Sequence, residues 1–254
     1  MRVTTIINLK GGVGKTATAV NMASILAESG AKVLVIDADP QANATSFYGL
    51  RADAEKNTLS GLLEGFSADP YDFIYETRLG IDCVPADMSL INCDVASIRE
   101  NVSSTKILSD FCAALEEDGM YDYILIDCPP GFTAASVAAV YASNDVIVPV
   151  KVDAFSLEGL GELTLQINNL RAINARVSIA GALVTMWHKA PAVIEGEALL
   201  KQSSIPLFRT RIRRSDKVDE STFMHQPLIE YSPRCSAAKD YRDFVAEYLE
   251  TGVK

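Results

Sequence analysis

Seven consecutive residues near the start of the chain, Lys10-Gly11-Gly12-Val13-Gly14-Lys15-Thr16, are of the types that hold a phosphate chain. Glycines let backbone N–H groups turn inward toward anionic oxygens, and Lys15 can reach the outer phosphates of a nucleoside triphosphate. The Thr16 hydroxyl is placed to ligate Mg²⁺. The run departs from the ordinary GxxxxGKS/T pattern, because Leu9 stands five residues before Gly14 and Lys10 adds a second lysine. A chance glycine-rich turn is the plain alternative. The apolar run Val3–Leu9 before it and the helical period after Lys15 argue against that.

Carboxylates end two further apolar runs. Val33-Leu-Val-Ile leads into Asp37-Ala38-Asp39, and Tyr123-Ile-Leu-Ile leads into Asp127. Ligands of open α/β sheets bind at the carboxyl ends of strands. One or two carboxylates there suffice for Mg²⁺, which keeps several waters. Asp37 and Asp39 lie on the same side of an extended strand, so alternation separates their roles only weakly; either Asp37 or Asp127 could instead cap a turn.

The elements that must position these groups alternate along the chain. Apolar runs at 3–8, 32–36, 80–84, 122–127, 145–150, 177–184 and 205–209 read as strands, most of them continuously apolar, as in a parallel sheet covered on both faces. Segments at 15–29, 87–99, 104–117, 133–142, 156–173, 191–202 and 237–250 have helical period. The pattern predicts an α/β fold: a single-domain, doubly wound, mostly parallel sheet with helices on both faces. The polar stretches 51–58 and 65–72 read as surface loops, and no linker divides the 254 residues.

The three motifs, in this order, resemble the ParA/MinD family of deviant Walker ATPases. Asp37-Ala-Asp-Pro-Gln-Ala-Asn-Ala-Thr45, Pro149–Leu160 and Thr185-Met186 resemble the ParA version specifically, and the similarity runs from Thr4 to about Leu249. The resemblance implies ATP and Mg²⁺ as cofactors. It puts nucleotide contacts at Lys10 through Ala17, with the base held near the Thr185 region and near Pro206. Lys10 matches the signature lysine that crosses an ATP-sandwiched homodimer to the partner's phosphates. Asp39 matches the aspartate that positions the hydrolytic water beside the metal site, and Asp127 matches the Walker B metal residue. Lys10, Lys15 and Asp39 are thus the expected catalytic groups, and Thr16, Asp39 and Asp127 the expected metal site. The wording after Thr185-Met186, Trp187-His-Lys-Ala-Pro191, departs from the family, so no adenine contacts are assigned there.

The formal net charge is −10, so any approach to nucleic acid needs a local basic patch. Residues 201–217 supply one, with Arg209, Arg211, Arg213 and Arg214 as candidate DNA-binding residues. A solvated loop with internal ion pairs is the alternative. The resemblance puts a DNA-contacting arginine at Arg213 and implies nonspecific DNA and a ParB-like centromere-binding protein as partners. The last helix carries Asp240, Asp243, Glu247 and Glu250 opposite its apolar face, against a membrane-surface role. Five scattered cysteines without a CxxC pair fit free thiols in a reducing cytoplasm, and the resemblance implies a nucleoid-associated protein. No apolar run reaches the roughly 20 residues of a membrane span.

The expected function is DNA partition by a slow ATPase. A MinD-like positioning switch is the alternative, and an iron–sulfur redox ATPase a third reading that would need a cluster-bridging cysteine pair. Lys15→Ala is expected to abolish binding of a fluorescent ATP analogue, since the ammonium makes charge-assisted bonds to phosphate oxygens. Wild-type affinity in that variant would remove the phosphate-loop assignment.

Overall fold

The computed structural model describes residues 1–50, 57–65, 69–100, 105–153, 156–171 and 174–251, with backbone alone at 96–100 and 156–158. The expected loop at 51–58 and the expected helix end at 172–173 fall largely or wholly outside these residues.

One eight-stranded sheet organises the chain. Its strands are β1 (Arg2–Ile6), β2 (Val33–Asp37), β3 (Tyr75–Glu76), β4 (Asp82–Val84), β5 (Tyr123–Asp127), β6 (Asp145–Lys151), β7 (Ser178–Trp187) and β8 (Leu207–Arg213), in the spatial order β3-β4-β2-β5-β1-β6-β7-β8. Every pairing is parallel except β3 with β4. The continuously apolar strands are buried on both sides, which explains why no polar alternation marks them.

Alternate residues feed two cores. Val35, Leu125, Ile147 and Leu183 face one, where α1 (Lys15–Glu28), α2 (Asn43–Phe47), α10 (Leu228–Tyr231) and α11 (Ser236–Thr251) pack. Leu34, Ile36, Ile124, Ile126, Val146 and Val148 face the other, covered by α3 (Leu59–Leu63), α4 (Leu90–Glu100), α5 (Thr105–Glu117), α6 (Ala134–Ala142), α7 (Ser156–Arg171) and the end of α8 (Pro191–Leu200). A further helix, α9 (Asp216–Phe223), follows β8.

The short pieces α2, α3, β3, α9 and α10 are additions to the sequence-derived elements, and Pro70–Phe73, at the end of the loop expected over 65–72, forms one 3₁₀ turn. Helices of four or five residues carry too little periodic pattern to be read. The eighth strand runs four residues further than its apolar run suggests. Phe208 and Ile212 alternate inward, and the intervening arginines point away from the core.

The final helix is also oriented differently from the expectation. Asp240 is buried, and its carboxylate accepts the Arg213 N–H at 2.9 Å and pairs with that guanidinium at 2.6 Å. Glu247 accepts the N–H groups of Arg209 and Thr210 at 2.7 and 2.9 Å. Two of the four acids thus face β8 rather than solvent.

Gly181 lies where β7 shifts register against β6. A Cβ there would sit 2.9 Å from the Phe208 ring and 3.2 Å from the Pro206 carbonyl oxygen. Gly181→Ala is therefore expected to cost about 1–3 kcal/mol by overpacking, measured as a lower denaturant midpoint with unchanged slope.

Candidate nucleotide site

Register sets the site. Ile6 and Asp37 both lie opposite Asp127, so three strand ends stop level and the phosphate loop leaves β1 beside two carboxylates. Asn8 holds the start of the loop: its Nδ2 donates to the Pro149 carbonyl at 2.7 Å and its Oδ1 accepts the Lys10 N–H at 2.9 Å. Thr185 holds its middle, donating its hydroxyl to the Val13 carbonyl at 2.8 Å. Gly14 then caps α1 at φ 86, a conformation that a side chain would strain.

Lys15 is buried, and its ammonium donates to the Lys10 carbonyl at 3.1 Å. Burial lowers its pKa, and Asp127 and Asp39 pull it back up. Lys10 is half-exposed and pairs with Asp153 of the same chain.

The two strand-end carboxylates have opposite surroundings. Asp37 is saturated, accepting the Thr45 N–H at 2.7 Å, the Thr45 hydroxyl at 2.8 Å and the Asp39 N–H at 3.1 Å. Burial still pushes its pKa up to about 6. It is the anchor of the loop after β2, the turn-capping alternative left open by the sequence. Asp127 is fully buried, and neither of its oxygens accepts a hydrogen bond of ordinary geometry. Burial first, then the charge of Asp37, raises its pKa well above the carboxylate range, with the Thr16 hydroxyl and Lys15 acting against the shift. Only the Tyr48 hydroxyl is similarly unpartnered among the described buried side-chain N and O atoms. Asp39, also buried, accepts the Gln41 N–H at 2.9 Å and closes the following turn.

An orphaned buried carboxylate beside a threonine hydroxyl suits a hard cation with oxygen ligands. Among the described residues no three His, Cys, Asp or Glu side chains converge as a metal group. Mg²⁺ needs few protein ligands when phosphates and waters complete its shell.

A cleft of about 210 Å³ opens next to the loop, lined by Gly14 and Ala17 on one side and by Met186, Arg214, Val218 and Asp219 on the other. Ala17, one of the expected nucleotide contacts, lines this cleft. Pro206 is not brought to it. That residue precedes β8, where its carbonyl accepts the Ala182 N–H at 2.7 Å, whereas the cleft lies beyond the other end of the strand. The wall made by residues 212–219 was missed. Its legible signal is Ser215, whose side chain caps α9 by accepting the Lys217 N–H.

Three of the four arginines expected to face DNA are engaged with carboxylates. Arg209 pairs with Glu247 and Glu250, Arg211 with Glu197 at 2.9 Å, and Arg213 with Asp240. Glu197 also accepts the Trp187 indole N–H at 3.1 Å, while Arg211 lies over the indole ring. Arg214 is exposed, with no ion pair among the described residues.

Comparison with known proteins bears on this geometry. A family model described as an AAA domain matches residues 1–179. The chain is 33% identical over 253 residues to the chromosome partitioning protein ParA of Caulobacter vibrioides, covering 98% of this chain and 94% of that one. It belongs to the ParA/MinD family and is of the ParA type. The sporulation initiation inhibitor protein Soj of Bacillus subtilis is likewise 33% identical, covering 99% of each chain. Among solved structures, apo McdA from Cyanothece is similar at a TM-score of 0.87 and 26% identity, covering 98% of this chain and 99% of that one. Cobyrinic acid a,c-diamide synthase from Mycobacterium smegmatis, solved with an ATP analogue and magnesium, gives 0.84 and 25%, covering 100% and 98%. The ParA-type assignment and the α/β fold expected from the motifs both stand.

The unpartnered carboxylate generates a prediction of its own. Asp127→Asn is expected to raise the thermal midpoint of the nucleotide-free protein at pH 7, about 1 kcal/mol being worth 2–4 °C in a chain this size. The same change should remove the Mg²⁺-dependent part of the stabilisation by ATP. Melts with and without nucleotide and metal check both halves, and a lower nucleotide-free midpoint would count against the strained carboxylate.

Proposed function

We propose that this ParA-type ATPase segregates DNA by binding it nonspecifically as an ATP-dependent homodimer, and that a ParB-like centromere-binding partner stimulates hydrolysis and release. The observation that carries the reading is the phosphate loop set level with the bare Asp127, in a chain aligned over 98% of its length with a chromosome partitioning protein.

ATP and Mg²⁺ are the cofactors. The loop N–H groups from Gly11 to Thr16 and the start of α1 would cradle the phosphates. Lys15 would reach the β- and γ-oxygens, while Thr16 and Asp127 would hold Mg²⁺, with Asp39 at its edge. The metal, when bound, supplies positive charge where negative charge accumulates on the transferred phosphoryl group. Asp39, held in its turn beyond β2, would orient the attacking water.

Dimerisation follows from electrostatics. Two nucleotide-bearing faces repel unless cations lie between them, and Lys10, half-exposed at the loop, is the cation available once it leaves Asp153. The structure makes Arg213 a less direct candidate for DNA than the sequence suggested, because its charge is spent on Asp240. Lys189, Arg214, Arg234 and Lys239 are exposed without ion pairs among the described residues. Arg213 donates to the Ser236 carbonyl at 3.3 Å, which sets the end of β8 beside the start of α11 where Arg234 and Lys239 lie. A dimer doubles the phosphates neutralised, making binding tighter and steeper in salt.

One experiment tests the chain of events. Light scattering and gel shifts on unrelated duplexes, at two salt concentrations, compare the parent with Lys10→Ala and with the double change Arg234→Glu and Lys239→Glu. Lys10→Ala is expected to bind ATP, stay monomeric and shift no DNA. The double variant should dimerise yet lose DNA regardless of sequence. A Lys10→Ala dimer would sink the sandwich arrangement, and parent-like DNA affinity with the parent salt slope in the double variant would move the DNA surface elsewhere.

A further inference from the structure

His225 sits at φ 52, in the left-handed region where glycine is the undemanding occupant. Burial of its neighbours does not explain the strain, since Phe223 is 82% and Met224 53% exposed. The turn is held by His225 itself. Its Nδ1 lies 2.7 Å from the Ser46 carbonyl oxygen, and because a carbonyl only accepts, Nδ1 carries the proton. Its ring stacks on Phe47 with centroids 6.5 Å apart and planes 17° from parallel. Its own carbonyl accepts the Arg78 guanidinium at 2.6 Å, and its N–H donates to the Thr222 carbonyl at 3.1 Å.

The partners matter because of what they belong to. Ser46 and Phe47 are in α2, whose Thr45 saturates Asp37 and whose entry is the turn closed by Asp39. On the other side, α9 opens at the wall of the nucleotide cleft, and Leu228 at the start of α10 donates its N–H to Asn21 of α1 at 2.8 Å. The frame around His225 is therefore fixed to the helix that follows the phosphate loop, and His225 reaches from it to the helix that follows Asp39.

We infer that His225 is a positioning residue for hydrolysis: it clamps α2, and with it the Asp39 turn, to the frame that walls the nucleotide cleft. The inference rests on the reading of Asp39 as the group that orients the attacking water. Small displacements of such a group cost rate without costing affinity, because bound ATP does not depend on where the water stands. A backbone strain that persists only because contacts over-determine it is a feature of sites where position is functional.

The test uses substitutions compatible with the turn. His225→Gly suits a positive φ and deletes the ring, so the full-length protein is expected to fold with a midpoint close to the parent's and to bind ATP with parent affinity. Its single-turnover hydrolysis rate should fall about ten- to a hundredfold. His225→Asn tolerates the left-handed conformation, and its amide can donate to the Ser46 carbonyl, so it should recover part of that rate. Asp39→Ala is measured in parallel. A parent-like rate in His225→Gly overturns the inference. So does a rate that falls together with affinity and thermal midpoint, which would mean the residue only holds the fold. A parent-like rate in Asp39→Ala removes the reading of Asp39, and the inference with it, so the two failures are told apart.

Discussion

A carboxylate buried without a partner is among the costliest things a protein interior can contain, and the arrangement of this molecule turns on one. Asp127 ends a central strand beside Asp37, with no hydrogen bond of ordinary geometry to either oxygen, the Thr16 hydroxyl beside it, and a like charge on the neighbouring strand. Register produces this, since β1, β2 and β5 stop level. The loop after β2 spends its N–H groups and the Thr45 hydroxyl on Asp37, so that only one of the two acids is left wanting. Lys15, itself desolvated, answers part of the demand. What remains is a preorganised preference for positive charge beside the glycine-rich loop and the start of α1, which is the electrostatic form of a nucleotide and its metal.

Much of this was legible in the chain because the signals are local. A strand, a glycine-rich turn and a helix in direct succession identify the phosphate loop from Lys10 to Thr16, and an apolar run ending in Asp marks a strand terminus whatever its tertiary partners. Roles that depend on distant partners were not legible. Asp37 and Asp39 sit two residues apart with the same chemistry, and only Thr45 folding back onto Asp37 distinguishes the anchor from the acid that closes the next turn. Pro206 shows the opposite failure. Its identity fitted the resemblance, but the extra length of β8 carries the cleft to the other end of the strand.

The basic stretch is the clearest case of a sequence signal whose meaning is set at long range. Six cations in seventeen residues stand out in a chain of net charge −10. Yet the acids that engage Arg209 and Arg213 lie on the last helix, 27 to 41 residues away, while Arg211 turns the other way to Glu197 on α8. Local counting cannot anticipate that pairing, because helical period places Asp240 and Glu247 correctly on one side of α11 but says nothing of what that side meets.

The same seam has a consequence for how the folded protein behaves in company. β8 is one of the two outer strands of the sheet, and an outer strand offers unpaired N–H groups to any other extended chain. Here Glu247 takes the N–H groups of Arg209 and Thr210, and Asp240 takes that of Arg213. Carboxylates borrowed from a helix do for this edge what another strand would do, and they close it with negative charge. The C-terminal helix thereby caps with carboxylates a margin that would otherwise stand open to edge-to-edge pairing.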